Sequence, residues 1–302
     1  MKQKIECRVI SQKEIAPAIY DLWIETALAK EAKAGQFIGV FPKDKSTLLP
    51  RPISICQVSD KKDALRIVYR IAGQGTKEFS TLKEGDCVQI MGPLGNGFPV
   101  EQGMGKRVFL MGGGIGIPPM LELAKELYAM TEKPMGQDTL EDGVEKNSLE
   151  QDVLVDGIEK KRIVAVAGDK ASSVTRLMSI VGYRDADTFL SDELGKYSEV
   201  YIASEDGSVG TKGNVMNAIN ENGLKADVIF ACGPMPMLRA IKAYAQEQGI
   251  PAYISLEEHM ACGVGACLGC VVKTKEVDHH SHVNNARICT DGPVFEAGDV
   301  EI

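Results

Sequence analysis

Three cysteines fall within nine residues of ACGVGACLGC (261–270), and a fourth follows at Cys289. The spacing is C-x4-C-x2-C-x18-C, through Cys262, Cys267, Cys270 and Cys289. No feature of the chain constrains its fold more. Four thiols on one binding centre force this segment to be a wrapped loop, neither helix nor strand. Gly263, Gly265 and Gly269 let that loop take φ > 0 and approach a ligand closely, and Ala261 and Ala266 keep side chains out of the way. In a reducing compartment such crowding points to a metal or cluster rather than to disulfides. The other four cysteines (Cys7, Cys56, Cys87 and Cys232) are scattered through strand-like apolar segments.

The first two spacings are those of a plant-type [2Fe–2S] centre. The alternative is structural zinc, whose four-cysteine sites usually pair their ligands as two C-x2–4-C knuckles, and Cys289 has no second knuckle. His279, His280 and His282 read as decoration of an exposed loop, with metal ligation as the other reading. The formal net charge of -8 argues against nucleic acid and anionic membranes. The chain has no 18-residue apolar run to span a membrane, and MKQKIECRVI has no apolar signal region, so the expected compartment is the cytoplasm.

Three regions are expected. Residues 1–101 carry short strand candidates: Ile5–Ile10, Ile19–Glu25, Phe37–Phe41, Ile53–Gln57, Leu65–Arg70 and Cys87–Met91. Separated by turn signals, they predict an antiparallel barrel or sandwich. GPLGNGFP (92–99) reads as a connection between domains. Residues 102–250 alternate apolar runs (108–111, 162–168, 199–204 and 227–233) with helical patterns at 118–130 and 235–249, the latter stopped by Gly249. That alternation predicts a parallel α/β unit. Residues 131–162 interrupt it with a polar, acidic segment in which DTLEDGVEK (138–146) is echoed by DVLVDGIEK (152–160). This reads as an inserted surface excursion, with a partner-docking hairpin as the alternative. Residues 251–302 hold the cysteine loop and end in short strands such as ARIC and PVFEAGDVEI.

Two further patterns bear on chemistry. PRPIS (50–54) and VYRIAGQGT (68–76) combine an Arg beside extended backbone, a Ser hydroxyl and a Gly-Thr turn that opens a helix. Such groups suit a pyrophosphate and a flavin edge, and taken singly they also suit ordinary turns of a β-domain. MGGGIGIPPM (111–120) follows a strand and opens a helix, the context of a dinucleotide loop, although Ile117 stands where G-x-G-x-x-G has its last glycine.

RPIS with YRxxGxGT resembles the FAD-binding domain of the ferredoxin–NADP reductase superfamily. The resemblance implies FAD on Arg51, Pro52, Ile53, Ser54, Val68, Tyr69, Arg70, Gly75 and Thr76. It also implies a nucleotide on Gly112, Gly113, Gly114 and Gly116, with Gly233 and Pro234 of the CGP turn, and places Cys232 near the meeting of nicotinamide and flavin. Without that context Cys232 reads as an inert buried thiol. ASEDGSVG (203–210) has Ser204, Glu205 and Asp206 where the superfamily's NADP users tend to carry Ser-Arg. Carboxylates there repel a 2′-phosphate and accept ribose hydroxyls, so NAD is expected.

The whole order is similar to the electron-transfer subunits of NAD-dependent dihydroorotate dehydrogenase B. GPLGNGF, GGGIGIPP, DGSVGTKG, CGPMPML and EEHMACGVGACLGC carry that likeness. It implies a β + α/β chain: an antiparallel β-barrel FAD domain, a parallel α/β nucleotide domain and a small [2Fe–2S] domain. It further implies an FMN-containing catalytic partner in a heterotetramer of two plus two, no dihydroorotate oxidation without that partner, and a role in pyrimidine biosynthesis. The rivals are a reductase subunit of a sulfhydrogenase or ferredoxin:NADP oxidoreductase type, a stand-alone oxygenase reductase, and a flavin-free, zinc-stabilised binding protein.

Overall fold

The computed structural model describes residues 4–44, 46–131, 175–277 and 282–302. The barrel strands are β1 (Lys4–Ala16), β2 (Ile19–Glu25), β3 (Phe37–Phe41), β4 (Arg51–Val58), β5 (Ala64–Arg70) and β6 (Cys87–Leu94), with a short helix α1 (Gln74–Phe79) between the last two. They close in the order β1-β2-β5-β4-β3-β6 with antiparallel pairing throughout. Period-2 alternation sets the register. Tyr20, Leu22 and Ile24 pair with Tyr69, Ile67 and Leu65 across the barrel interior, and a one-residue slip would turn all six outward. β6 runs on to Leu94, so Gly92–Leu94 are strand and the expected connection starts later. Leu94 packs against the cysteine loop, which gives the strand a reason to continue.

The second unit contains β7 (Arg107–Gly113), α2 (Pro118–Thr131), β8 (Arg176–Tyr183), α3 (Ser191–Leu194), β9 (Glu199–Ser204), β10 (Thr211–Lys212), α4 (Val215–Glu221), β11 (Val228–Cys232), α5 (Met235–Gln248) and β12 (Ala252–Ser255). Beyond these come β13 (Val271–Lys273), β14 (Asn285–Arg287) and β15 (Val294–Glu296). The sheet order is β10-β9-β8-β7-β11-β12-β15, parallel except for the β12–β15 pair. β11 is buried along its whole length, as a central parallel strand covered on both faces must be. α5 ends at Gly249 with φ 64, the left-handed stop expected of it. β12 and β15, from the C-terminal region, complete this sheet, while β13 and β14 form a separate two-stranded sheet beside the cysteine loop. β8 stands next to β7 and was not expected from sequence; the run at 162–168 and the duplicated segment lie outside the described residues. No helix among the described residues is long and apolar enough to cross a membrane.

The two units share one apolar cluster, in which Cys56 and Val68 of the barrel meet Ile117, Val181 and Cys232. Polar groups then fix their relative position. The buried Arg66 guanidinium donates to Asp21 (2.9 and 2.8 Å) in the barrel and to Glu193 (2.6 and 2.9 Å) on α3. On α2, Glu122 accepts the Val58 N–H (2.8 Å), Glu126 accepts the Ala34 N–H (3.1 Å), and Lys125 reaches Val58 O (3.1 Å) and Asp60 (2.6 Å). Burial pushes the Glu122 carboxyl up to about 7, against the opposing pull of the Val58 N–H and Lys125.

A raised carboxyl pKa means that the folded chain keeps a proton the unfolded chain has already lost. Stability is therefore withdrawn as pH rises from the unfolded value of 4.5 through about 7, by up to about 3 kcal/mol. Glu122→Gln keeps an acceptor for Val58 and is expected to gain on the unsubstituted protein between pH 5 and pH 8.5. Melting curves at the two pH values would contradict this if the difference in Tm stayed constant.

Candidate functional site

Antiparallel pairing with β3 places Arg51, Pro52, Ile53 and Ser54 opposite Val40, Gly39, Ile38 and Phe37. The Arg51 guanidinium donates to Leu49 O (2.5 Å) and lies over Gly75, where a Cβ would sit 2.8 Å from Nε. So the two flavin motifs, far apart in sequence, meet at the start of α1. Thr76 Oγ1 accepts the N–H groups of Ala72 (2.8 Å) and Gly73 (3.1 Å) and donates to Gly73 O. Its hydroxyl shapes the turn, which leaves backbone N–H groups as what the turn offers to an anion. Tyr69 is buried, stacked on Tyr20 at 5.8 Å, with its hydroxyl on Gln12 (3.0 Å). Val68 faces the α/β unit and Arg70 is exposed.

The glycine loop ends β7 and the CGP turn ends β11, and these neighbouring strands are in register at Gly112 and Cys232. β8, β9 and β10 extend the sheet on one side of β7 while β11 and β12 lie on the other, so this is a switch point, where open α/β sheets take ligands. A Cβ on Gly116 would overlap the Cys232 carbonyl and lie 2.6 Å from Gly233 Cα. A Cβ on Gly112 would meet Ile117 Cα at 2.9 Å, and one on Gly113 would meet Met237 Sδ at 2.7 Å and Pro234 Cδ at 3.0 Å. Gly114, at φ +53, has nothing within 4 Å and presents open backbone. Met237, which also lies against Gly233, wedges both turns; it was inside the CGPMPML motif but carried no signal of its own. Cys232 is fully buried, and burial together with Glu257 pushes its thiol up, against the bond from Ser255. That environment keeps it neutral and unreactive.

Ser204 is buried, and its hydroxyl donates to Val209 O (2.6 Å) and accepts Val209 N–H (3.1 Å). It closes the acidic loop. Glu205 and Asp206 are exposed beside it, and Asp206 is held below the usual carboxylate range by hydrogen bonds from Ser208.

The cysteine loop takes left-handed turns at Gly263 (φ 67) and Gly265 (φ 77). Its thiols associate two and two. Cys262 accepts the Cys267 N–H (3.4 Å) and lies beside the Cys267 thiol, while Cys289 lies beside Cys270 and accepts the Gly265 N–H (3.2 Å). Although burial pushes Cys262 up, N–H groups of Val264, Cys267 and Ala266 bring it down to about 7. Cys289 is pushed up to about 12 by burial and its Cys270 neighbour. Two thiol pairs with backbone N–H groups on sulfur fit a two-iron centre. Asn96, just past β6, ties this loop to the barrel by donating to the carbonyls of Thr290 (3.3 Å) and Asp291 (3.0 Å). Nothing in GPLGNGF announces that contact.

Residues 257–301 match the family of the iron–sulfur cluster binding domain of dihydroorotate dehydrogenase B. The "Dihydroorotate dehydrogenase B (NAD(+)), electron transfer subunit" proteins of Bacillus cereus and Bacillus anthracis are each 37% identical, with 99% of this chain and 99% of theirs covered. An NADH-dependent reduced ferredoxin-NADP oxidoreductase structure superposes with a TM-score of 0.73 at 23% identity, covering 98% of this chain and 89% of that one. A ferredoxin NADP+ reductase from Neisseria gonorrhoeae gives 0.59 at 13%, covering 96% and 98%. These two show the shared fold. The full-length identity, on the same barrel, sheet and cysteine loop, means that the chain belongs to the family of electron transfer subunits of NAD-dependent dihydroorotate dehydrogenase B.

Proposed function

We propose that this chain passes electrons between an FMN-containing dihydroorotate dehydrogenase catalytic subunit and NAD+, in a cytoplasmic heterotetramer of two plus two that serves pyrimidine biosynthesis. One observation carries the reading: the barrel bearing Arg51–Ser54 touches the nucleotide turn through Val68 and the cysteine turn through Asn96. The residues that would hold a flavin, a nucleotide and a cluster are thus joined through the barrel. When bound, FAD and a [2Fe–2S] cluster supply the conversion between one-electron and two-electron transfer. Cys262, Cys267, Cys270 and Cys289 hold the cluster. Arg51 and the turn at Gly75 and Thr76 hold the flavin pyrophosphate, and Pro52, Ile53, Ser54, Val68, Tyr69 and Arg70 frame the rest. Gly114 meets the NAD pyrophosphate. Gly112, Gly113, Gly116, Gly233 and Pro234 shape that cradle, and buried Cys232 forms its floor, where positioning rather than proton transfer is needed. Ser204 and Asp206 set the ribose end. The units run 1–101, 102–250 and 251–302, the last lending β12 and β15 to the middle sheet.

The test is the anaerobic visible spectrum of the purified chain before and after reduced nucleotide. Flavin bands and a broad iron–sulfur envelope, bleached by NADH and far less by NADPH, are expected. Asp206→Ser should narrow the NADH preference about tenfold, the size of one like-charge repulsion at a solvated site. A colourless, zinc-retaining protein would refute the cofactor assignment.

A further inference from the structure

Gly265 is held from three sides. Its N–H donates to Cys289 Sγ (3.2 Å), and its carbonyl accepts from Arg287 Nη1 (3.2 Å). On the third side, a Cβ would lie 2.8 Å from Thr290 Cγ2. Arg287 is itself fixed. Asp291 Oδ2 accepts the Arg287 backbone N–H (2.8 Å) and Nε (3.3 Å), and the Thr290 hydroxyl donates to Asp291 Oδ1 (3.1 Å). The backbone N–H groups of Thr290, Asp291 and Gly292 all donate to Arg287 O, and Asn96 secures the same turn from the barrel. The guanidinium is therefore held between the Gly265 carbonyl and Asp291 of the turn that carries Cys289.

Reduction adds an electron to a centre whose thiolates and sulfides are already negative. A cation fixed nearby, and an N–H aimed at sulfur, stabilise the reduced state more than the oxidised one, and a carboxylate acts in the opposite sense. We propose that Arg287, oriented by Asp291, is a positioning residue that sets the reduction potential of the cluster bound through Cys289. It keeps the Gly265 N–H on sulfur and its own charge beside it, while Asp291 limits how far that charge acts. The inference rests on the iron–sulfur reading above.

The experiment is a redox titration of the full complex with its catalytic subunit, followed by the electron paramagnetic resonance signal of the reduced cluster, with iron and sulfide content measured alongside. Arg287→Gln is expected to lower the reduced-to-oxidised ratio at a fixed solution potential about tenfold, which for one electron is a midpoint about 59 mV more negative. Arg287→Lys, which keeps the charge but not the planar fork, should fall between. Asp291→Asn keeps an acceptor oxygen and should move the midpoint the other way. Raising the salt should shrink both charge effects, because the pair is partly exposed.

A purely structural role for this turn predicts lost iron with an unmoved midpoint, or shifts of one sign in all variants; either result overturns the proposal. Should Arg287→Gln fail to hold iron, the sign of the Asp291→Asn shift decides: upward supports it, unchanged or downward overturns it. Absence of a reduced two-iron signal in the unsubstituted complex is a separate outcome, and it would overturn the cluster assignment itself.

Discussion

Gly116→Ala is expected to abolish NADH-linked reduction and to cost about 3 kcal/mol of stability, the upper end of the usual cost of overpacking, because the neighbours are rigid. The added carbon would fall 2.5 Å from the Cys232 carbonyl carbon and 2.6 Å from Gly233 Cα. Both are backbone atoms at the end of β11, a fully buried central strand, so neither can yield as a side-chain tip would. The loop must lift off the CGP turn, and the crevice between β7 and β11 then loses its shape. Gly114→Ala is the control. That position has φ +53 and open space, so the cost is the left-handed strain of about 1 kcal/mol. Its defect should show as a raised KM for the nucleotide, with the fold intact. Thermal melts and steady-state NADH oxidation with an artificial acceptor separate the two variants. A native-like melt and unchanged KM for Gly116→Ala would mean that the loop does not rest on Cys232.

The contrast between those glycines shows which parts of the site the sequence carries. Local pattern was legible. β2 and β3 fall on the expected residues because alternation and flanking turns fix a barrel strand, and α2 and α5 follow from periodicity with proline starts. The cysteine spacing was legible because cluster chemistry demands it. β8 was not, since RLMSIVGY is recognisable as strand mainly through its register with Arg107–Gly113, a pairing made across the sheet. β12 and β13, four and three residues long, are too short to show a period, whereas β14 and β15 overlap the short strands expected at ARIC and PVFEAGDVEI. Side-chain purpose was the least legible. The hydroxyls of Thr76 and Ser204 sit in motifs that suggest ligand contact, and each is engaged by its own turn. Met237, Asn96 and Arg287 join segments remote in sequence, and no spacing rule encodes such contacts.

The same distinction between chemistry and packing separates the buried cysteines, and it leads to the second large effect. Cys289→Ser is expected to remove the iron–sulfur absorbance and to lower dihydroorotate-to-NAD+ turnover of the complex by more than about a hundredfold, beyond the loss typical when only the partner of a ligand is removed. Cys289 is 1% exposed, takes the Gly265 N–H, and pairs with Cys270. A serine there keeps shape and hydrogen bonding, but its hydroxyl does not ionise to a soft ligand as a thiol does, and one iron would be left with a single protein thiolate. Cys56 is equally buried, but in the apolar seam between barrel and sheet and away from the cysteine loop. Cys56→Ala should therefore cost about 1 kcal/mol of packing and leave the iron content unchanged. Iron analysis, the visible spectrum and partner-coupled turnover, taken together on both variants, decide the matter. Full iron content in Cys289→Ser would remove that residue from the ligand set, and loss of iron in Cys56→Ala would mean that packing at the domain seam, rather than thiol identity, governs whether the loop holds its cluster.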